Sequence, residues 1–279
     1  MLTNNSNYNC YYLHIKNKKP RLIQEPFIDL KIQQKNLVEK LNSFPFFFAC
    51  TSRKGLNLLD NASPHYNAQY LLKIDILNCF PSISLSLVSN SIKKYYNSQY
   101  LEEVKQLGFI ENNNKILVLP TGAPSSPILC NIALTQLDEN ILKLIQDKKI
   151  NYTRYIDDLT FSLQEKNLTL KDQIFDLLLS YGLKPNFKKS KWYSRQKADK
   201  FIVTGVNLKG QNRLPRSFSR ILRAKLANLA KQKQPLDAEA NGCLAYVKLI
   251  DFNKYQYFLK YYNQRMQYES IASRISSSS

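Results

Sequence analysis

The sequence predicts an α+β fold, an antiparallel sheet packed on helices, and three observations carry that prediction. The run "YLLKIDIL" is short, apolar and rich in β-formers, while "YTRYIDDLTFSL" has the alternation of a hairpin. Helical periodicities lie between and after them, so the order reads strand, helix, helix, hairpin, helix. Hydrophobic residues make up 44% of the 279, enough for a sizeable core and too many for wholesale disorder.

Taken in order, "YYLHIKNKKPRLI" predicts a small basic hairpin, and "DLKIQQKNLVEKLNSF" a helix with Leu30, Ile32, Leu37 and Leu41 among its apolar positions. "YLLKIDIL" predicts a buried strand ending near Asp75, and "SLSLVSNSIKKYY" a helix. "APSSPILCNIALTQLDENILKLIQ" predicts one long helix, with Pro127 at its start, Ser125 or Ser126 as cap, and Leu129, Ile132, Ala133, Ile141 and Ile145 at helical spacing. In the hairpin that follows, Leu159, Phe161 and Leu163 alternate on the return strand. "RSFSRILRAKLANLAKQ" predicts an amphipathic helix with Phe218, Ile221, Leu222, Leu226 and Leu229 inward and Arg216, Arg220 and Arg223 outward. The terminal "SSSS" reads as a frayed end.

Forty Lys and Arg against twenty-one Asp and Glu leave a net charge of +19. Such a field attracts phosphates at long range and favours a polyanionic partner, nucleic acid before membrane. Its distribution is sharper than its total: between Tyr181 and Lys233 stand fifteen Lys and Arg and one acid, Asp199, which places +14 in under a fifth of the chain. Five cysteines, at 10, 50, 79, 130 and 243, form no CxxC pair and no metal-ligand spacing, as expected of a reduced compartment. The N-terminus lacks the apolar core of a signal peptide and no stretch approaches a membrane span, so a soluble, cytoplasmic protein without a membrane partner is expected.

Asp157 and Asp158 stand side by side at the hairpin tip, where they repel each other and nothing local neutralises them. A divalent cation would offset that cost, because magnesium takes hard oxygen ligands and needs few from protein. Phosphodiester chemistry commonly uses two such ions, which calls for a further carboxylate from elsewhere. Asp75, at the end of a core strand where an unpaired charge is costly, is the candidate, and it is expected to meet Asp157 across the sheet, 82 residues away in sequence.

Read together, several stretches resemble the ordered motifs of reverse transcriptases. "KIDILNCFPSI" resembles the first catalytic motif, "LPTGAPSSPILCNIAL" the Gly-Pro-Ser motif and the helix beneath template and nucleotide, and "YIDD" the catalytic hairpin. "GLKPNFKKSK" is similar to the following motif through Gly182, Asn186, Lys189 and Ser190. "NASPH", Asn61 to His65, and "VTG", Val203 to Gly205, resemble signatures of one branch, the retron reverse transcriptases of bacteria. The resemblance runs from about residue 11 to about 263. Thr121 stands where the family often carries Gln, and the fingertip "IKNKKPRLI" is shorter than usual.

The resemblance implies a right-hand polymerase: fingers at 1–70, palm at 71–205 and a helical thumb with tail at 206–279, leaving no room after the thumb for a ribonuclease H domain. It implies catalysis by Asp75, Asp157 and Asp158, and two magnesium ions at Asp75, Ile76, Asp157 and Asp158. The nucleotide set is Arg21 with Lys16 or Lys18 on the triphosphate, Phe80 excluding a 2′-hydroxyl, Gly122, and Lys189 as proton donor to pyrophosphate. Asn61, His65, Thr204, Arg213, Arg216, Arg220 and Arg223 are the expected nucleic-acid contacts, His65 alternatively shaping the palm or resting as a satisfied core histidine. The implied partners are dNTPs, a structured noncoding RNA that is template and primer, its single-stranded DNA product, and an effector protein in anti-phage defence. The competing readings are another bacterial reverse transcriptase, from a defence system or an intron, and an inactive palm domain that binds structured RNA.

Overall fold

The computed structural model describes residues 7–14, 19–95, 98–197, 201–210 and 213–276. Lys16 and Lys18 lie outside them. The chain divides into two compact units between Lys197 and Ala198.

The first unit opens with strands β1 (Tyr8–Leu13) and β2 (Arg21–Pro26), paired antiparallel as the predicted hairpin. Helix α1 (Ile28–Leu41) follows, burying Leu37 and Leu41. Ile32 is 52% exposed, against expectation: at 3.6 residues per turn it lies about 140° round the helix from Leu37. The inward place is taken by Gln34, whose Nε2 donates to the Tyr8 hydroxyl at 2.9 Å and to the Leu107 carbonyl at 2.8 Å. Helix α2 (Leu58–Ala62) starts with a capping box of Asn57 and Asp60.

Strand β3 (Tyr70–Asp75) ends where the sequence predicts. Helices α3 (Cys79–Ser82), α4 (Leu85–Tyr95) and α5 (Leu101–Gly108) and a minimal hairpin, β4 (Ile110–Glu111) with β5 (Leu117–Val118), lead to α6 (Ser126–Ala133) and α7 (Thr135–Ile145). The single long helix expected over α6 and α7 is therefore two. Thr135 Oγ1 donates back to the Asn131 carbonyl at 2.9 Å, a contact that bends helices, and Leu134 leaves helical geometry at φ −89° and ψ 0°. Ser125 makes no side-chain cap, and Ser126 donates instead to the Pro120 carbonyl at 2.6 Å.

Strands β6 (Asn151–Tyr155) and β7 (Asp158–Leu163) form the predicted hairpin, followed by α8 (Leu170–Ser180) and β8 (Lys191–Ser194). The sheet order is β6-β7-β3-β8, with all neighbours antiparallel. Alternation along the strands divides its faces. Leu72, Ile74, Leu159, Phe161 and Tyr152 belong to the core with residues of α1, α4, α6, α7 and α8. Lys73, Asp75, Thr153, Asp158, Thr160 and Lys191 therefore share the opposite face.

The second unit holds a two-stranded turn, β9 (Ile202–Val203) with β10 (Val206–Asn207), and helices α9 (Arg216–Lys231), α10 (Ala238–Ile250) and α11 (Phe252–Ser276). Thr204 and Gly205 both have positive φ, 42° and 85°, as a tight hairpin turn requires. A Cβ on Gly205 would lie 3.0 Å from the Tyr246 hydroxyl, which donates to the Gly205 carbonyl at 2.8 Å. On α9, Leu222, Leu226 and Leu229 are buried and Arg216, Arg220 and Arg223 exposed as expected, but Ile221 is 65% exposed, about 140° from Leu226.

His65 and Asn61 are buried, which removes them from the nucleic-acid contacts expected of them. His65 Nδ1 lies 2.7 Å from Ser162 Oγ and Nε2 2.8 Å from Thr153 Oγ1, so the ring ties the turn before β3 to β6 and β7. Burial pushes the imidazole down to about 4, and it is neutral at pH 7. His65→Ala strands two hydroxyls and opens a cavity, so urea unfolding at pH 7 should show a loss of about 2–4 kcal/mol. Because the folded pKa lies below the unfolded one, that contribution is full above about pH 6.5 and should shrink as the pH falls toward 4.

Candidate active site

Asp75 is the last residue of β3, and its register partner on β7 is Asp158, not the Asp157 expected. Asp157 lies in the turn between β6 and β7, where its carbonyl accepts from the Ile76 N–H at 3.1 Å. One strand end and one turn thus bring the three acids together. Burial, then repulsion from Asp158 and Asp75, pushes the Asp157 carboxyl up to about 6. Burial also raises Asp158, with Asp75 adding to the rise and Lys73 opposing it.

The segment from Lys184 to Ser190 supplies the counter-charge. It lies along the end of β3 through the N–H of Leu77 to the Lys184 carbonyl at 2.8 Å and that of Asn186 to the Asp75 carbonyl at 2.7 Å. Asn186 Nδ2 then donates to Asp75 Oδ2 at 2.8 Å, and Lys189 Nζ to Oδ1 at 2.7 Å. The Lys189 side chain is 57% exposed, so this ion pair contributes little to stability and is readily exchanged. The ordering of Asp75 comes from the backbone contacts.

The turn itself is strained and held from beneath. Ile156 has φ +56°, a left-handed conformation that a β-branched residue rarely adopts, at a cost of about 1–3 kcal/mol. Its carbonyl accepts from Arg154 Nη1 at 3.0 Å and its N–H donates to Ser52 Oγ at 3.0 Å. Arg154 is fully buried on the core side of β6 and paired in bidentate fashion with Asp138 of α7, Nε to Oδ1 at 2.8 Å and Nη2 to Oδ2 at 2.7 Å. Nη1 also reaches Asn131 Oδ1 at 2.8 Å, and the Tyr152 hydroxyl donates to Asp138 Oδ1 at 2.7 Å. None of these partners was singled out in the sequence. The available signal was parity, since Arg154 shares a strand face with Tyr152, where a charge must be both buried and paired.

Two clefts open on the acids. One, of about 500 Å³, is lined by Arg21, Gln24, Asp75, Phe80, Thr121, Asp157 and Lys189 among others. Phe80 also packs on the core, so its ring is fixed. Gly122 does not line this cleft; its φ of +120° and the 3.2 Å that a Cβ would leave to the Gln24 carbonyl show that it lets the loop seat against β2. The Gln24 N–H donates to the Thr121 carbonyl at 2.7 Å. The second cleft, of about 320 Å³, is lined by Lys73, Asp75, Asp158, Lys188, Lys189, Lys191 and Tyr193 among others. Asp75 and Lys189 line both clefts; Asp157 lines the first and Asp158 the second.

Among the described residues, no three acidic, His or Cys side chains close into one ready-made ligand set, since Asp75 is turned to Lys189 and Asn186. The donor chemistry nevertheless fits a hard divalent cation, with three carboxylates whose mutual repulsion is already visible at Asp157. Ile76 has only its backbone carbonyl to offer. Thr204, Arg213, Arg216, Arg220 and Arg223 belong to the second unit. There Arg223 and Arg265 lie over the Tyr261 ring at 4.9 and 5.4 Å.

The profile of the family described as "Reverse transcriptase (RNA-dependent DNA polymerase)" matches residues 13–208. The Retron Ec83 reverse transcriptase of Escherichia coli is 31% identical over 220 residues, 75% of this chain and 70% of that protein. The Retron Ec86 reverse transcriptase of the same organism is 30% identical over 252 residues, 88% and 76%. A solved telomerase from Candida tropicalis, in complex with a fragment of telomeric RNA, shares the fold at a TM-score of 0.50 and 12% identity, covering 98% of this chain and 54% of that one. No helix among the described residues is long and apolar enough to cross a membrane.

The raised Asp157 makes a checkable demand. Its folded pKa of about 6 lies above the unfolded value, so its ionisation opposes folding at pH 7 and the penalty fades as the pH falls toward 4. In chelator, Asp157→Asn should be more stable than wild type at pH 7.5 by about 1–2 kcal/mol, discounted for partial exposure, with the difference gone near pH 4 in thermal melts. A variant less stable at pH 7.5 contradicts this reading.

Proposed function

Because the chain belongs to the reverse transcriptase family, as an RNA-directed DNA polymerase of retron type, we propose that it joins nucleotides to a priming hydroxyl between the two clefts that share Asp75. That sharing is the observation carrying the proposal. In-line phosphoryl transfer brings the attacking oxygen and expels the leaving group on opposite sides of the phosphorus. The dNTP takes the Arg21–Phe80 cleft and the priming strand the lysine cleft.

Reverse transcriptases use divalent metal ions, and here two magnesium ions on Asp75, Asp157 and Asp158 would neutralise charge on the transferred phosphoryl and activate the priming hydroxyl. Arg21 offers its planar fork to the triphosphate. Phe80, backed by the core, leaves no room for a 2′-hydroxyl. Lys189, adjoining both clefts, donates the proton that pyrophosphate takes as it leaves. Lys73, Lys188 and Lys191, which have no carboxylate within ion-pair distance among the described residues, hold the phosphodiesters of the priming strand. The exposed arginines of α9 grip duplex phosphates without reading sequence.

Retron membership supports a structured noncoding RNA as template and primer, single-stranded DNA as product, and an effector protein as companion in anti-phage defence. Sequencing the nucleic acid that co-purifies with the protein, with a test for DNA joined to RNA, checks the first two.

Neutralising the lysine cleft by Lys73→Gln with Lys191→Gln should raise the KM for the priming strand about tenfold and leave that for dNTP in place. Binding should become less salt-dependent by about one unit of log–log slope per lysine. A raised dNTP KM with an unmoved primer KM would exchange the two clefts. Phe80→Val should raise ribonucleotide incorporation relative to deoxynucleotide by about tenfold or more, and unchanged sugar selectivity would remove Phe80 from its role.

A further inference from the structure

Three side chains beneath the catalytic turn, those of Arg154, Asn131 and Ser52, form a closed ring with the Ile156 backbone. Arg154 Nη1 donates to the Ile156 carbonyl at 3.0 Å and to Asn131 Oδ1 at 2.8 Å. Ser52 Oγ accepts from the Ile156 N–H at 3.0 Å and donates to the same Asn131 Oδ1 at 3.2 Å. Asn131 Nδ2 closes the ring on the Ser52 carbonyl at 2.7 Å. The loop carrying Ser52 is itself laid along β6, where the Arg154 N–H donates to the Ala49 carbonyl at 2.7 Å and the Thr51 N–H to the Arg154 carbonyl at 3.0 Å. Both backbone groups of the left-handed Ile156 are thus bound, one by a buried charge and one by a hydroxyl.

Stability alone does not account for Arg154. A buried ion pair can commonly be replaced by apolar side chains of similar volume without loss of stability, so the pair is better understood through the geometry it imposes. Here the geometry is specific. Asp138 takes the Nε–Nη2 edge of the guanidinium, which turns Nη1 toward Asn131 and the turn carbonyl. The two residues after Ile156 are Asp157 and Asp158.

We propose that Arg154, clamped by Asp138 and linked to Ser52 and Asn131, is a positioning residue that sets the directions of the Asp157 and Asp158 carboxylates by fixing the left-handed Ile156 between strands. It touches neither substrate nor cation and acts through the Ile156 carbonyl. The inference rests on the reading of Asp75, Asp157 and Asp158 as cation ligands.

The test is equilibrium binding of Mn²⁺, followed by electron paramagnetic resonance on the full chain without substrate. Arg154→Lys keeps the charge beside Asp138 but loses the planar fork that reaches three partners at once. It should stay folded, bind template–primer as wild type does, and lose about 10–100-fold in Mn²⁺ affinity, the range seen when groups supporting metal ligands are removed. Ser52→Ala leaves the ion pair intact, frees the Ile156 N–H and removes one donor from Asn131 Oδ1, and should lose about tenfold. If Arg154→Lys does not fold, Ser52→Ala carries the expectation alone. Wild-type Mn²⁺ affinity in either folded variant overturns the proposal, as does a loss that merely tracks the unfolded fraction by circular dichroism. Wild-type protein that takes up no Mn²⁺ overturns the cation-ligand reading itself, an outcome distinct from unaltered variants.

Discussion

The buried pair of Arg154 and Asp138 is the constraint on which the rest of the site depends. Taking both charges out of water costs several kcal/mol per ion, and only close geometry with further hydrogen bonds offsets it. The pair has both, through a bidentate contact, the Tyr152 hydroxyl and the Asn131 amide. It therefore fixes where α7, α6 and β6 meet. The β6–β7 hairpin is anchored at its base by a fully buried charge, and the left-handed residue at its tip is bound by the same guanidinium.

The opposite face of the sheet follows a different electrostatic logic. The pair beneath is fully buried, whereas Asp157 and Asp158 above are partly exposed and the counter-charge on Asp75 is exchangeable. The Lys189 ammonium reaches Asp75 from an exposed side chain, so this ion pair can be exchanged without opening the core. A protein of net charge +19 can keep three neighbouring acids because lysines surround them: Lys73, Lys188, Lys189 and Lys191 border Asp75 and Asp158. The same basic field attracts polyanions toward this face.

What could be read from the sequence was what is encoded locally. The spacing of "YIDD", the apolar run ending at Asp75 and the Asn186–Ser190 segment each sit in one short stretch, and the fold brings them together. Register needs more. The pairing of Asp75 with Asp158 rather than Asp157 depends on one residue of turn geometry, an Ile in a conformation that propensity argues against. His65 was placed among nucleic-acid contacts by motif, but its two ring nitrogens are used inside the protein. The break between α6 and α7 arises from one Thr back-bond, invisible to periodicity. Ile32 and Ile221 show that an apolar residue near a helical stripe is not thereby on it.

Convergence of Asp75, Asp157 and Asp158 on one transfer site is the central claim, and single-nucleotide extension of a primer on an RNA template by Asp75→Asn, beside wild type and with template binding measured in parallel, tests it most directly. The account predicts that incorporation is lost while binding of template and primer persists. Vigorous extension by the variant, or by wild type in excess chelator, would contradict it.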